Sequence, residues 1–151
     1  MLFRSSDPVE INLSFLNLET LPIIEGRWEN LTVLNVSRNK LAELPERIDV
    51  LTNLTHLYAS HNRLSKLPET LKHLEKIQKV DLRHNNIDRL DRGIGDLRHL
   101  RSLYLVGNSL PMQIIRYLME LKKRRPRELF IDLTGKIDNK KKAVYLYFNA
   151  M

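Results

Sequence analysis

The chain has 151 residues, no cysteine and a net charge of +7. Without cysteine there can be no disulfide, zinc–thiolate centre or cysteine nucleophile, and no apolar run approaches the ~20 residues that cross a bilayer as a helix. The charge is lopsided: residues 1–108 are near balance, whereas residues 109–151 hold ten Lys and Arg against four acids.

Met1–Pro8 lacks the long apolar stretch of a secretory leader, so a cytoplasmic location is expected. A pattern of apolar positions then begins. Ile11, Leu13, Leu18 and Leu21 fill some of its slots. From Leu31 it becomes regular: Leu31-x-x-Leu34-x-Val36-x-x-Asn39-x-Leu41. The same spacing returns 23 residues later as Leu54, Leu57, Ala59, Asn62 and Leu64. It returns again as Ile77, Val80, Leu82, Asn85 and Ile87, and as Leu100, Leu103, Leu105, Asn108 and Leu110. Within each unit, Leu34-x-Val36 and its equivalents alternate with period two, so both side chains face one side of a short strand. One unit cannot bury that face alone, so strands of successive units must stack in parallel about 4.8 Å apart. Asn39, Asn62, Asn85 and Asn108 make a ladder whose amides can satisfy backbone groups of their own and the neighbouring unit. Leu16 occupies that slot in the first unit, an end effect expected of a terminal repeat.

The pattern L-x-x-L-x-L-x-x-N-x-L resembles the leucine-rich-repeat family over residues 9–110. Leu18-x-x-Leu21-Pro22, Leu41-x-x-Leu44-Pro45 and Leu64-x-x-Leu67-Pro68 match its 23-residue subtype. Chains of that subtype include Ras-pathway scaffolds, plant relatives and effectors of intracellular bacteria. The resemblance implies an α/β solenoid. A curved parallel sheet would line its concave side, with short helical or irregular segments on the convex side. It also implies a role in protein binding and not in catalysis. A single domain over 1–151 is expected, with repeats at 9–30, 31–53, 54–76, 77–99 and 100–127 and a C-terminal β cap at 128–151.

After Leu110, Pro111 suits the first turn of a helix, with Ser109 as a candidate N-cap. Ile114, Ile115, Leu118, Met119 and Leu121 supply its apolar stripe. The next apolar strand pair is Ile131-x-Leu133, 28 residues after Leu103 and Leu105, a longer step that accommodates a true helix. Ala143–Asn149 is strongly strand-like. Leu133 to Leu146 is too short a step for another solenoid turn. An antiparallel hairpin through Lys136–Lys142 is therefore expected to close the sheet edge. Under the rival reading, the chain is a fragment whose last strand continues into further repeats.

The outward-facing columns give the candidate site. Between the strand leucines lie Asn12, Asn35, Tyr58, Asp81 and Tyr104; before them lie Glu10, Val33, His56, Lys79 and Ser102. After them come Ser14, Ser37, Ser60, Arg83 and Val106, then Phe15, Arg38, His61, His84 and Gly107. Asn35, Arg38, His56, Tyr58, His61, Lys79, Asp81, Arg83, His84 and Tyr104 are the expected protein-binding residues, because aromatic and arginine side chains anchor interfaces. His61 and His84 share one slot in adjacent repeats, with His56 near, yet no carboxylate completes an obvious metal site. No metal or other cofactor is expected. No glycine-rich phosphate loop or serine–histidine–acid arrangement is visible, and Trp28 reads as a packing residue.

Lys122, Lys123, Arg124, Arg125 and Arg127 form the sharpest charge cluster. As a helix end it is favourable by electrostatics alone. The functional alternatives are a nuclear-import signal or a contact with nucleic acid, anionic membrane or an acidic protein. The reading is a monomeric, non-enzymatic adaptor that binds another protein on its concave sheet; the resemblance to bacterial effectors implies, alternatively, action in a host cytosol. The second reading is an electrostatic binder of nucleic acid or anionic lipid through the basic end.

Overall fold

The computed structural model describes residues 9–23 and 28–133. Six short strands form one parallel sheet in sequence order: β1 Val9–Asn12, β2 Leu31–Asn35, β3 His56–Tyr58, β4 Lys79–Asp81, β5 Ser102–Tyr104 and β6 Phe130–Asp132. The register follows the repeat. Leu34 pairs with Leu57, Leu57 with Val80, Val80 with Leu103, and Leu103 with Ile131. Leu34, Leu57, Val80 and Leu103 have no exposed surface, so the inward side of the alternation is the core. Truncating one such leucine to alanine removes its transfer energy and leaves a cavity, a cost of about 2–5 kcal/mol.

The return path of each central repeat is a short 3-10 helix: Glu46–Val50, Glu69–His73 and Arg92–Asp96. Pro45 and Pro68 precede the first two with φ of −58° and −64°, close to the angle the proline ring imposes. Asp91 takes that place in the third, and its carboxylate accepts from the Gly93 backbone N–H at 2.7 Å. Ile48, Leu71 and Ile94 point from these turns into the core. The 28-residue step holds the expected helix, α1 Met112–Arg124, with Leu118, Met119 and Leu121 buried. Its start differs from expectation. Pro111 is itself the N-cap and no side chain caps the helix, so Ser109 does not have the role its position suggested. A proline at the cap fixes the chain direction without leaving an orphaned N–H of its own.

The asparagine ladder closes the backbone account on the turn side. Asn62 Oδ1 accepts from the Leu41 N–H at 3.0 Å, and Nδ2 donates to the Val36 and Ala59 carbonyls at 2.9 and 3.2 Å. Asn85 repeats this with Leu64, Ala59 and Leu82, and Asn108 with Ile87, Leu82 and Leu105. At the array's start, Asn39 Oδ1 accepts from both Leu16 and Leu18. Leu16 is 54% exposed and Ile11, Leu13 and Leu18 only half-buried, as an end repeat with one neighbour must be. Trp28 packs on the edge of the core. The hairpin expected through Lys136–Lys142 and the strand at Ala143–Asn149 lie outside the described residues.

Candidate functional site

The side chains that alternate away from the core line the concave face in register. Asn12, Asn35, Tyr58, Asp81, Tyr104 and Asp132 occupy one row across the six strands, and Glu10, Val33, His56, Lys79, Ser102 and Phe130 the row before it. Six of the ten residues expected to bind a partner, Asn35, His56, Tyr58, Lys79, Asp81 and Tyr104, thus stand in these two rows, although Asp81 is only 3% exposed. Its carboxylate is covered by its own repeat. Oδ1 accepts from the Arg83 backbone N–H at 3.1 Å and from Nε at 2.9 Å, and Oδ2 from Nη2 at 2.6 Å. This bonding raises the Arg83 pKa above its ordinary value and leaves little free acceptor on the carboxylate. Asp81 is a holder of Arg83, not a contact in its own right.

Above that pair the aromatic and cationic groups interleave. The Lys79 ammonium sits over two ring faces, 5.2 Å from the Tyr58 centroid and 5.3 Å from that of Tyr104. The Arg83 guanidinium also lies over the Tyr104 ring, 5.3 Å from its centroid. Tyr104 also packs against Phe130 at 5.7 Å. Phe130 is 51% exposed, and it was not among the expected site residues, although carrying the Ser102 column forward by the 28-residue step reaches it. At the N-terminal end, His56 stacks loosely on Tyr58 at 6.2 Å and its Nδ1 pairs with Thr55 Oγ1 at 2.8 Å. An open depression of about 510 Å³ lies there, lined among others by Glu10, Asn12, Asn35, His56 and Tyr58.

A second row runs along the rim. Phe15, Arg38, His61, His84 and Gly107 all have φ between 55° and 75°, because the chain turns out of each strand at this slot. The left-handed region costs an L-residue roughly 1–2 kcal/mol, and only Gly107 escapes it. A Cβ on Gly107 would lie 2.6 Å from His84 Nδ1, so glycine here also makes room for the imidazole. His84 in turn stacks on His61, with centroids 4.4 Å apart, and Arg38 covers the Phe15 ring at 5.3 Å. Loss of solvent beneath the stacked ring lowers the His61 pKa below its ordinary 6.5; Arg38, His84 and Arg83 push the same way and Asp81 opposes them. Among the described residues no group of three metal-ligating side chains converges.

The five cations of the basic cluster do not share one environment. Arg125 folds back onto the preceding repeat and donates to the Leu97, Arg98 and Leu100 carbonyls at 2.9–3.0 Å. Lys123 pairs with Glu120 at 3.1 Å. Lys123, Arg124 and Arg127 are exposed and Lys122 is half-buried. Sequence alone grouped these cations by adjacency, whereas the helix end sends Arg125 inward and the others out. No helix among the described residues is long and apolar enough to cross a membrane.

Comparison with known proteins agrees with this architecture. Leucine-rich-repeat family models match residues 30–51, 53–74 and 67–110. No curated protein matches the chain in sequence. A leucine-rich-repeat protein of Leptospira interrogans is similar in structure, with a TM-score of 0.64 and 26% identity over 87% of this chain and 44% of that one. YopM of Yersinia enterocolitica matches with a TM-score of 0.57 and 29% identity, over 67% of this chain and 20% of its own. InlP of Listeria monocytogenes gives 0.51 and 25%, over 73% and 28%. The chain is a leucine-rich-repeat protein, a class whose stacked strands mediate protein–protein interaction. It spans less than half the length of each of these bacterial proteins.

Proposed function

We propose that this chain is a non-enzymatic adaptor that binds another protein on its concave sheet. The observation that carries the reading is the Tyr58–Lys79–Tyr104–Arg83 cluster. Two half-exposed aromatic rings with cations laid on their faces form a rigid, amphipathic patch in the middle of the array. Tyrosine and arginine dominate binding energy at protein interfaces because they bury large area and still hydrogen-bond. No arrangement of nucleophile, base and orienting group accompanies them among the described residues, and an open concave sheet excludes little water from a reacting bond. The likeness to bacterial leucine-rich-repeat proteins supports a bacterial effector that meets its partner in a host cytosol.

The test is affinity capture from cytosol with the wild-type chain and with a Tyr58→Ala/Tyr104→Ala double variant. Each tyrosine should weaken partner binding by about 1 kcal/mol or more if it is an anchor. The convex Glu46→Ala should leave binding unchanged. Equal losses from both faces place the binding surface elsewhere.

A further inference from the structure

The concave face carries a chemical bias that goes beyond a generic interface. Asn12 and Asn35 both turn Oδ1 toward their own backbone, accepting from the Ser14 and Ser37 N–H groups at 3.0 Å. An N–H can be met only by an oxygen, so each amide must present its Nδ2 donors to the groove. Neither Nδ2 has a partner among the described residues. Asp81 makes the same turn with Arg83, and its remaining oxygen is held by the guanidinium. The amide and carboxylate oxygens in the middle of the face, those of Asn35 and Asp81, are therefore consumed internally, while amide donors and cations stay available. Lys79 has two ring contacts and no acid partner among the described residues, and Arg38 has one ring contact and none. The acids on this surface, Glu10 and Asp132, stand on β1 and β6, at its two ends.

Building on the proposed concave binding role, we infer that the occupant is an extended acidic segment of a protein partner, laid across β2–β5. Three strand intervals of ~4.8 Å give a tract of about 14 Å, or roughly four extended residues at ~3.3 Å each. Carboxylates meet Arg38, Lys79 and the outer edge of the Arg83 guanidinium, and backbone carbonyls of the segment accept from the Asn35 amide.

Fluorescence anisotropy with labelled peptides tests this at physiological ionic strength. The probes are a tetraglutamate flanked by glycines, its tetraglutamine and tetralysine counterparts, and an oligothymidylate of similar length. The tetraglutamate peptide binds and the other two peptides do not. Lys79→Gln and Arg38→Gln each weaken it about threefold, as for partly exposed charge pairs, and the double variant about tenfold if the sites are independent. Lys66→Gln, which removes the same charge from an exposed return segment, leaves it unchanged. Equal loss in Lys66→Gln means diffuse attraction and overturns the inference, as does failure of the tetraglutamate peptide to bind. Equal, Lys79-dependent binding of the oligothymidylate reassigns the face to phosphate polymers. Partner capture that stays sensitive to Tyr58 and Tyr104 while the tetraglutamate peptide fails would leave the concave reading intact and remove only the acidic occupant.

Discussion

Replacing Asn62 with alanine tests the ladder at an interior rung. Asn62 is 8% exposed and makes one hydrogen bond as acceptor and three as donor. Counting bonds would suggest a very large loss, but counting orphaned groups does not. The Val36 carbonyl keeps the amide of Asn39 at 2.9 Å, and the Ala59 carbonyl keeps that of Asn85 at 3.0 Å. The Leu41 N–H has only Asn62 Oδ1 as acceptor. One buried donor is stranded, at a cost of about 1–3 kcal/mol. Asn39→Ala strands the N–H groups of Leu16 and Leu18, yet that end is open to water, so its cost should be the smaller despite the larger count. Asn62→Asp keeps the acceptor for Leu41 but turns a carboxylate oxygen toward the Val36 and Ala59 carbonyls, and should be worse than alanine. Thermal denaturation followed by circular dichroism reads all three, with melting shifts of about 2–4 °C per kcal/mol for a chain of this size. An Asn62→Ala protein as stable as wild type, or an Asn39→Ala protein clearly less stable than Asn62→Ala, would refute the accounting by stranded groups.

Three further outcomes are expected. The His61 imidazole should titrate below 6.5 by NMR, and Arg38→Gln should move its midpoint upward. Because the folded state holds the neutral form, the stability from His61 is complete above the unfolded value near 6.5 and falls as pH drops through the folded value; a midpoint at or above 6.5 contradicts this. Gly107→Ala should destabilise by about 1–2 kcal/mol through its positive φ alone, and the new Cβ should displace the His84 ring, visible as a chemical-shift change at His61. Arg125→Ala should cost about 1.5–3 kcal/mol, the range for charge-assisted hydrogen bonds, here to part-buried carbonyls, whereas Arg124→Ala should stay within about 0.5 kcal/mol as an exposed substitution. Equal melting temperatures for the two would show that Arg125 is a surface cation after all.

The strand positions, their parallel register and the ladder were legible because each follows from a local rule repeated with fixed spacing. Period-two alternation decides which side of Leu34, Leu57 and Val80 is buried, and the 23-residue step decides what lies beside what. The longer step to Ile131 was equally readable and correctly implied α1. Sequence failed where the answer depends on a side chain's direction instead of its position. Asp81 stands in the concave row as expected, but only the fold shows Arg83 closing over its carboxylate. Arg125 belongs to a run of five cations, and only the helix end reveals that its guanidinium reaches three carbonyls of the repeat before. Phe130 was missed because the column of candidates stopped at the last regular repeat, one strand short of the ring that supports Tyr104.

These cases share a cause with the way such an array can carry function. The core leucines and the asparagine ladder satisfy the apolar and backbone demands of every repeat from the inward and turn sides. The concave positions are left with almost no structural duty, so Tyr58, Lys79 and Tyr104 can be replaced without stranding a buried group. Arg83 is the exception. Removing its guanidinium would leave the Asp81 carboxylate, 3% exposed, with a backbone N–H as its remaining partner, and unpairing a buried charge is costly. Arg83→Ala should therefore lower both stability and partner binding, while Lys79→Gln lowers binding alone. The Arg83→Ala/Asp81→Asn double variant separates the two effects: it removes the unpaired charge and keeps the oxygen that meets the Arg83 backbone N–H. Its melting temperature should recover toward wild type while binding stays weak. If binding recovers along with stability, Arg83 acts on the partner only by holding the fold, and the concave patch is carried by Tyr58, Lys79 and Tyr104.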